Sequence, residues 1–105
     1  MGKRNGNENA SGKTVMVVGG AGGLSERYRD VVEKHGLCLQ HYEQRVPAGT
    51  RRGAGRVGLV VIMASMVSHS LRDQALSLAG EEAAVVYLRS PSVSALRSAV
   101  EQWAA

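Results

Sequence analysis

The chain has 105 residues, which is the length of one domain, and its 44% hydrophobic content excludes a fully disordered protein. No apolar run approaches the roughly 18 residues that would span a bilayer, so no membrane association is expected. The polar residues 1–13 lack the apolar region of a secretory signal. A single cysteine excludes an intramolecular disulfide, and together these features predict a cytoplasmic protein.

The first predicted unit is a strand, a glycine turn and a helix, after a tail over residues 1–13 that we expect to be disordered. Residues 14–19 form an apolar, β-branched run that predicts the first strand. A glycine-rich turn over 19–23 follows, and apolar residues at helical spacing predict a helix over 24–35. This order is the first half of a βαβ unit, and its turn is expected to offer backbone N–H groups to an anion.

The remaining elements continue the alternation of strands and helices. Alternating residues over 37–42 predict a second strand. A loop is expected over 43–56, because the glycines and the proline in this segment disfavour a long helix. The nearly continuous apolar run at 57–64 is typical of a strand buried on both faces. A helix capped by Ser68 or Ser70, a strand over 83–88 and a last helix opened by Ser90-Pro91 complete the prediction.

These elements predict one α/β domain over residues 14–105. The expected architecture is a small parallel four-stranded sheet in the order 2-1-3-4, flanked by helices. Ligands of such sheets bind beyond the carboxyl ends of the strands, where the strand order reverses. Here that point lies between the first and third strands.

Polar segments are predicted at this carboxyl edge beside the glycine turn. His41 ends the second strand, a Ser-His-Ser sequence opens the helix after the third, and an Arg-Ser pair ends the fourth. Free N–H groups at a helix N-terminus, an imidazole and a guanidinium together favour an anionic ligand. The candidate ligand-binding residues are Gly19, Gly20, Gly22, Gly23, His41, Ser68, His69, Ser70, Arg89 and Ser90.

The glycine turn also matches the dinucleotide fingerprint loosely. Gly20 and Gly22 take its first two glycine positions and Ser25 takes the third. Glu43 then lies near the distance, about 20 residues on, at which an acidic side chain would hold a ribose. The alternative is that the glycines only permit a tight turn and that the serines only cap helices.

The histidines allow two further interpretations. Ser68 and Ser70 flank His69, but Asp73 lies a turn later and does not complete a nucleophilic triad, so no catalytic residues are expected. His41 and His69 form an alternative site for a metal ion or haem, although two imidazoles fall short of the usual three or four zinc ligands. We therefore expect a non-enzymatic protein without a bound metal.

Four arginines fall in one glycine-rich stretch that contains no acidic residue between them. Such a stretch could contact nucleic acid or an acidic protein partner. The alternative is an ordinary solvated loop. The residues concerned are Arg45, Arg51, Arg52 and Arg56.

Several short segments also carry a family resemblance. They are Val17-Val18-Gly19-Gly20, Glu33-Lys34-His35-Gly36, His41 at the end of strand two, Val67-Ser68-His69 and Leu88-Arg89-Ser90. In this spacing, over about residues 14–103, the chain resembles the bacterial family catalogued as domain of unknown function 2325. The resemblance implies a small Rossmann-like domain in cytoplasmic bacterial proteins and no particular reaction. This chain departs from the family at Tyr42-Glu43, where members tend to carry Asp-Gly.

Together the patterns predict a binding or regulatory module. We expect it to be a homodimer that takes a small anionic or nucleotide-like ligand at the carboxyl edge of its sheet. A metal- or haem-binding protein and a nucleic-acid or acidic-partner interaction protein are the alternatives.

Overall fold

A computed structural model describes residues 14–46 and 57–104, so the predicted tail and most of the predicted loop lie outside the described residues. Within them the chain forms strands and helices in alternation, with two 3₁₀ turns at Gly22–Leu24 and Ala64–Met66. None of these helices is long and apolar enough to cross a membrane. The elements are β1 (Thr14–Val18), α1 (Ser25–Glu33), β2 (Cys38–Tyr42), β3 (Val57–Met63), α2 (His69–Ala79), β4 (Ala84–Leu88) and α3 (Val93–Ala104).

The strands form one parallel sheet in the order β2-β1-β3-β4, which confirms the predicted architecture. Side chains of β1 and β3 alternate between two apolar clusters, one under α1 and α3 and the other under α2. Every residue from Leu59 to Met63 is fully buried, as the continuous apolar run predicts for a strand covered on both faces. The strand order reverses between β1 and β3, so the loops after these two strands meet at the carboxyl edge.

Local serines cap the starts of α2 and α3, whereas α1 has no side-chain cap, and the start of α3 differs from the prediction. Ser68 caps α2, since its Oγ accepts the N–H of Leu71 at 3.0 Å. The prediction that Ser90-Pro91 opens the last helix is wrong: α3 begins at Val93, and Ser92 caps it by accepting the N–H of Ala95 at 3.1 Å. Pro91 precedes this cap, and its carbonyl is taken by a side chain from α1.

Candidate binding site at the carboxyl edge

The turn after β1 requires glycine at its first two positions. Gly19 and Gly20 have φ of +85° and +88°, in the region that L side chains rarely adopt. A Cβ on Gly19 would overlap the Met66 carbonyl oxygen and lie 2.9 Å from the Val67 Cβ. A Cβ on Gly20 would lie 3.1 Å from the Tyr28 hydroxyl. The two glycines therefore allow the turn to pack against the segment that follows β3 and against α1.

The backbone amides of this turn are largely engaged within the protein. Three successive N–H groups donate to acceptors of the same chain, so they are not free to bind an anion. The bonds run from Gly19 to the Tyr42 carbonyl (2.7 Å), from Gly20 to the Met66 carbonyl (3.3 Å) and from Ala21 to the Tyr28 hydroxyl (3.5 Å).

The rest of the turn lies beside a carboxylate. The amides of Gly22 and Gly23 have no hydrogen-bond partner within the described residues. A Cβ on Gly22 would lie 2.7 Å from the Cδ of Glu43, so the Glu43 carboxylate occupies the space above this part of the turn. An acid is expected there by the dinucleotide interpretation, but its charge opposes the approach of another anion.

His41 joins the ends of three elements. Its Nε2 lies 2.7 Å from the Gly19 carbonyl oxygen, its Nδ1 lies 3.1 Å from the Ser25 Oγ, and its ring meets Tyr28 edge to face at 5.2 Å. A carbonyl oxygen only accepts, so Nε2 donates its proton to Gly19, and Nδ1 is hydrogen-bonded to the Ser25 hydroxyl. Both nitrogens are thus committed to hydrogen bonds.

This geometry bears on the alternative metal site. The Nε2 of His41 donates to the Gly19 carbonyl, and its Nδ1 is hydrogen-bonded to the Ser25 hydroxyl. Residues 14–46 and 57–104 also contain no group of three or more His, Cys, Asp or Glu side chains that could hold a metal ion. His41 would have to break the hydrogen bond at one of its ring nitrogens before it could coordinate a metal ion together with His69.

A small cavity lies where β3 passes into α2. Its volume is about 220 Å³, below the 300–1,000 Å³ that is typical of drug-sized ligand pockets. It has room for a phosphate or a small carboxylate. Its lining combines the end of β3, the first turn of α2 and one residue of β4: Ile62, Ala64, Val67, Ser68, His69, Arg72 and Tyr87.

Two polar side chains of this cavity, His69 and Arg72, make only solvent-exposed contacts. The Arg72 guanidinium donates to the His69 Nδ1 at 3.2 Å, and its Nε lies 3.4 Å from the Asp73 carboxylate. The Asp73 side chain is 70% exposed, so this ion pair is solvated. The amides of His69 and Ser70 at the start of α2 have no partner within the described residues. The cavity is therefore lined by a cation, Arg72, and lies beside two helix N-terminal donors, one of which belongs to the lining residue His69.

The predicted site residues fall into separate groups. Ser68 and His69 line the cavity, whereas Ser70 accepts a hydrogen bond from Gln74 at 3.3 Å along the helix. The glycine turn adjoins the cavity through Val67, against which Gly19 packs.

The other predicted residues lie elsewhere or are not described. Arg89 and Ser90 are exposed and are not among the described residues that line the cavity. The Arg89 carbonyl accepts the Ser65 O–H at 3.0 Å, and the Ser90 hydroxyl accepts the Ser92 N–H at 3.3 Å. Of the arginine stretch, Arg45 is exposed; Arg51, Arg52 and Arg56 lie outside the described residues.

Two lining residues, Arg72 and Tyr87, were not predicted from the sequence. Arg72 lies three positions after His69, a spacing that places both on one face of a helix. Tyr87 pairs with Ile62 in the parallel register of β3 and β4, so the two side chains lie on the same face of the sheet. The helical spacing was available in the sequence, but the strand register was not.

Comparison with known proteins adds a family. The family model described as "Uncharacterized protein conserved in bacteria (DUF2325)" matches residues 14–103. No match is found among curated proteins or among solved structures.

Proposed function

We propose that this chain, which belongs to the bacterial family DUF2325, is a non-enzymatic cytoplasmic module that binds a small anion at the start of α2. The ligand would carry a phosphate or carboxylate group. The observation that supports this most directly is the Arg72–His69 pair at the 220 Å³ cavity, beside α2 N-terminal amides that have no partner within residues 14–46 and 57–104. A guanidinium binds planar or tetrahedral anions through several donors at once.

The ion pair that Arg72 makes with Asp73 is weak enough for an anion to replace it. An exposed ion pair such as Arg72–Asp73 contributes about 0–1 kcal/mol. A hydrogen bond to a charged group contributes about 1.5–3 kcal/mol. An anion that accepts from Arg72 and from two backbone amides therefore outweighs the loss of Asp73.

The glycine turn is a poorer anion site than this cavity. Its first three amides donate within the protein, and the Glu43 carboxylate lies beside the remaining ones. A nucleotide-like ligand would therefore place its phosphate at α2 rather than at the glycines. Since the cavity is small, the rest of such a ligand would lie outside it.

A titration of the isotope-labelled full chain with inorganic phosphate, followed by NMR, tests this proposal. Amide resonances of His69, Ser70 and Leu71 should shift, whereas sodium chloride at matched ionic strength should leave them in place. The variants H69A and R72A should weaken binding about 5- to 150-fold, the equivalent of about 1–3 kcal/mol.

Arg29 provides the matched control. It is an exposed helical arginine paired with an acid, Glu33, at 3.8 Å, so R29A removes the same charge from a similar setting. Phosphate binding should survive in R29A. Equal losses in R29A and R72A, or shifts confined to Gly22 and Gly23, would overturn the proposed site.

A further inference from the structure

The edge strand β4 is unusually apolar and open. Val85 and Tyr87 are 42% and 56% exposed, and they pair with Val60 and Ile62, which point toward α2. Since α2 packs over β1 and β3, it leaves these two side chains of β4 uncovered. Strands at sheet edges are usually protected by charges, prolines or bulges, and residues 83–88 contain no charge and no proline.

The opposite face of β4 is also open. A groove of about 490 Å³ runs between β4 and α3. Both of its walls are mainly apolar, so the strand exposes hydrophobic surface on its two faces, and its outer backbone edge pairs with no other strand of the described residues. The walls include Ala84, Val86 and Leu88 of β4 and Ala95, Ala99 and Trp103 of α3.

We propose that β4 pairs antiparallel with β4 of a second copy of this chain, which joins the two sheets into one. The charges at the ends of the strand favour this occupant and this direction. Glu81 and Glu82 precede β4, and Arg89 follows it. Antiparallel pairing brings the acidic end of each copy to the basic end of the other, whereas parallel pairing would bring like charges together.

The strand is also complementary to itself in side-chain size. When the pairing is centred on Val86, Val85 lies opposite Tyr87 of the second copy, and Ala84 lies opposite Leu88 of the second copy. Pairs of an aromatic with a β-branched residue are favourable across antiparallel strands. The same pairing satisfies the free N–H and C=O groups of both edges, and it brings the two apolar grooves together.

This interface would adjoin the anion cavity, but the pairing of the strands does not require an anion to be bound there. Tyr87 lines the cavity and is at the same time exposed at the edge. In the dimer its ring is covered by Val85 of the second copy, so each cavity is bounded by the interface. Dimerisation is therefore tested on the protein without phosphate, so that the result does not depend on whether the cavity binds an anion.

Light scattering coupled to size-exclusion chromatography of the full chain tests the pairing. The wild-type protein should elute with twice the 11.1 kDa mass of one chain. The variants V85K and Y87E change exposed side chains, and each should raise the dimer dissociation constant at least about 100-fold, because a charge then faces an apolar partner. Circular dichroism verifies that both remain folded.

Two further samples determine which edge of the sheet forms the dimer and whether the two strands pair antiparallel. A mixture of V85K and Y87E chains should recover dimers, because the antiparallel register sets the new lysine against the new glutamate. The control Q40K places the same charge on β2, the opposite edge, and should stay dimeric. A monomeric wild type, dimers that persist in V85K and Y87E, no recovery on mixing, or loss of the dimer in Q40K would each overturn the proposal.

Discussion

Two junctions at the same edge of the sheet look alike and behave differently. The turn between β1 and α1 and the segment between β3 and α2 both follow buried parallel strands, and both lead into helices. In the first, the Gly19 and Gly20 amides and His41 are taken up by internal hydrogen bonds. In the second, a cavity remains beside His69 and Arg72. Glycines at a strand-to-helix junction can thus serve packing alone, while the cavity that we propose as the anion site lies at the neighbouring junction.

The largest expected effect separates two glycines of the first junction. G19A should lower the free energy of unfolding by about 2–5 kcal/mol, because alanine at φ +85° is strained and its Cβ overlaps the Met66 carbonyl. G23A should change it by no more than about 0.5 kcal/mol, since nothing lies within 4 Å of that Cβ. Urea denaturation measures both. Equal effects would mean that the first glycine is not required by packing.

A smaller effect distinguishes the two histidines. H41A should cost about 1–3 kcal/mol of stability, because it leaves the Gly19 carbonyl and the Ser25 hydroxyl without their partner. H69A, at an exposed position, should cost less than about 0.5 kcal/mol. Thermal and urea unfolding compare them. A more severe loss in H69A would reverse the assignment of structural and binding roles.

Alanine substitutions of the two serines at the second junction should differ by about 1 kcal/mol in the free energy of unfolding. S68A removes the cap that accepts the Leu71 N–H, and such losses cost about 0.5–2 kcal/mol. S70A removes only an exposed contact with Gln74 and should be close to neutral. Urea unfolding of the two variants provides the measurement, and a neutral S68A would show that the cap does not hold the start of α2.

The smallest effect concerns alkaline pH at the first junction. Burial raises the pKa of Tyr42 above 10.0, so the folded protein holds this proton more tightly than the unfolded chain. Its contribution is complete below pH 10 and is lost as the pH rises through the higher folded pKa. The free energy of unfolding should therefore decline less steeply above pH 10 in Y42F than in the wild type. Identical alkaline slopes would contradict this.

The fold was readable from the sequence because its signals are local. The continuous apolar run from Leu59 to Met63 identifies the central strand, and the glycine turn after β1 identifies a βα unit. The candidate site was only partly readable, because its features depend on distant contacts. The hydroxyl that occupies the Ala21 amide comes from Tyr28, and the wall of the cavity on β4 depends on strand register. The start of α3 was misplaced because Ser92, two residues after Ser90, is the serine that caps this helix.

The buried Tyr28 has a consequence for the stability of the domain. Its hydroxyl accepts from Ala21 in the first turn and donates to the Pro91 carbonyl, 63 positions along the chain. A chain that ended before Pro91 would leave that hydroxyl without its acceptor, and a buried hydroxyl without a partner is costly in an apolar interior. Part of the stability of the β1–α1 unit therefore depends on the segment that leads into the C-terminal helix.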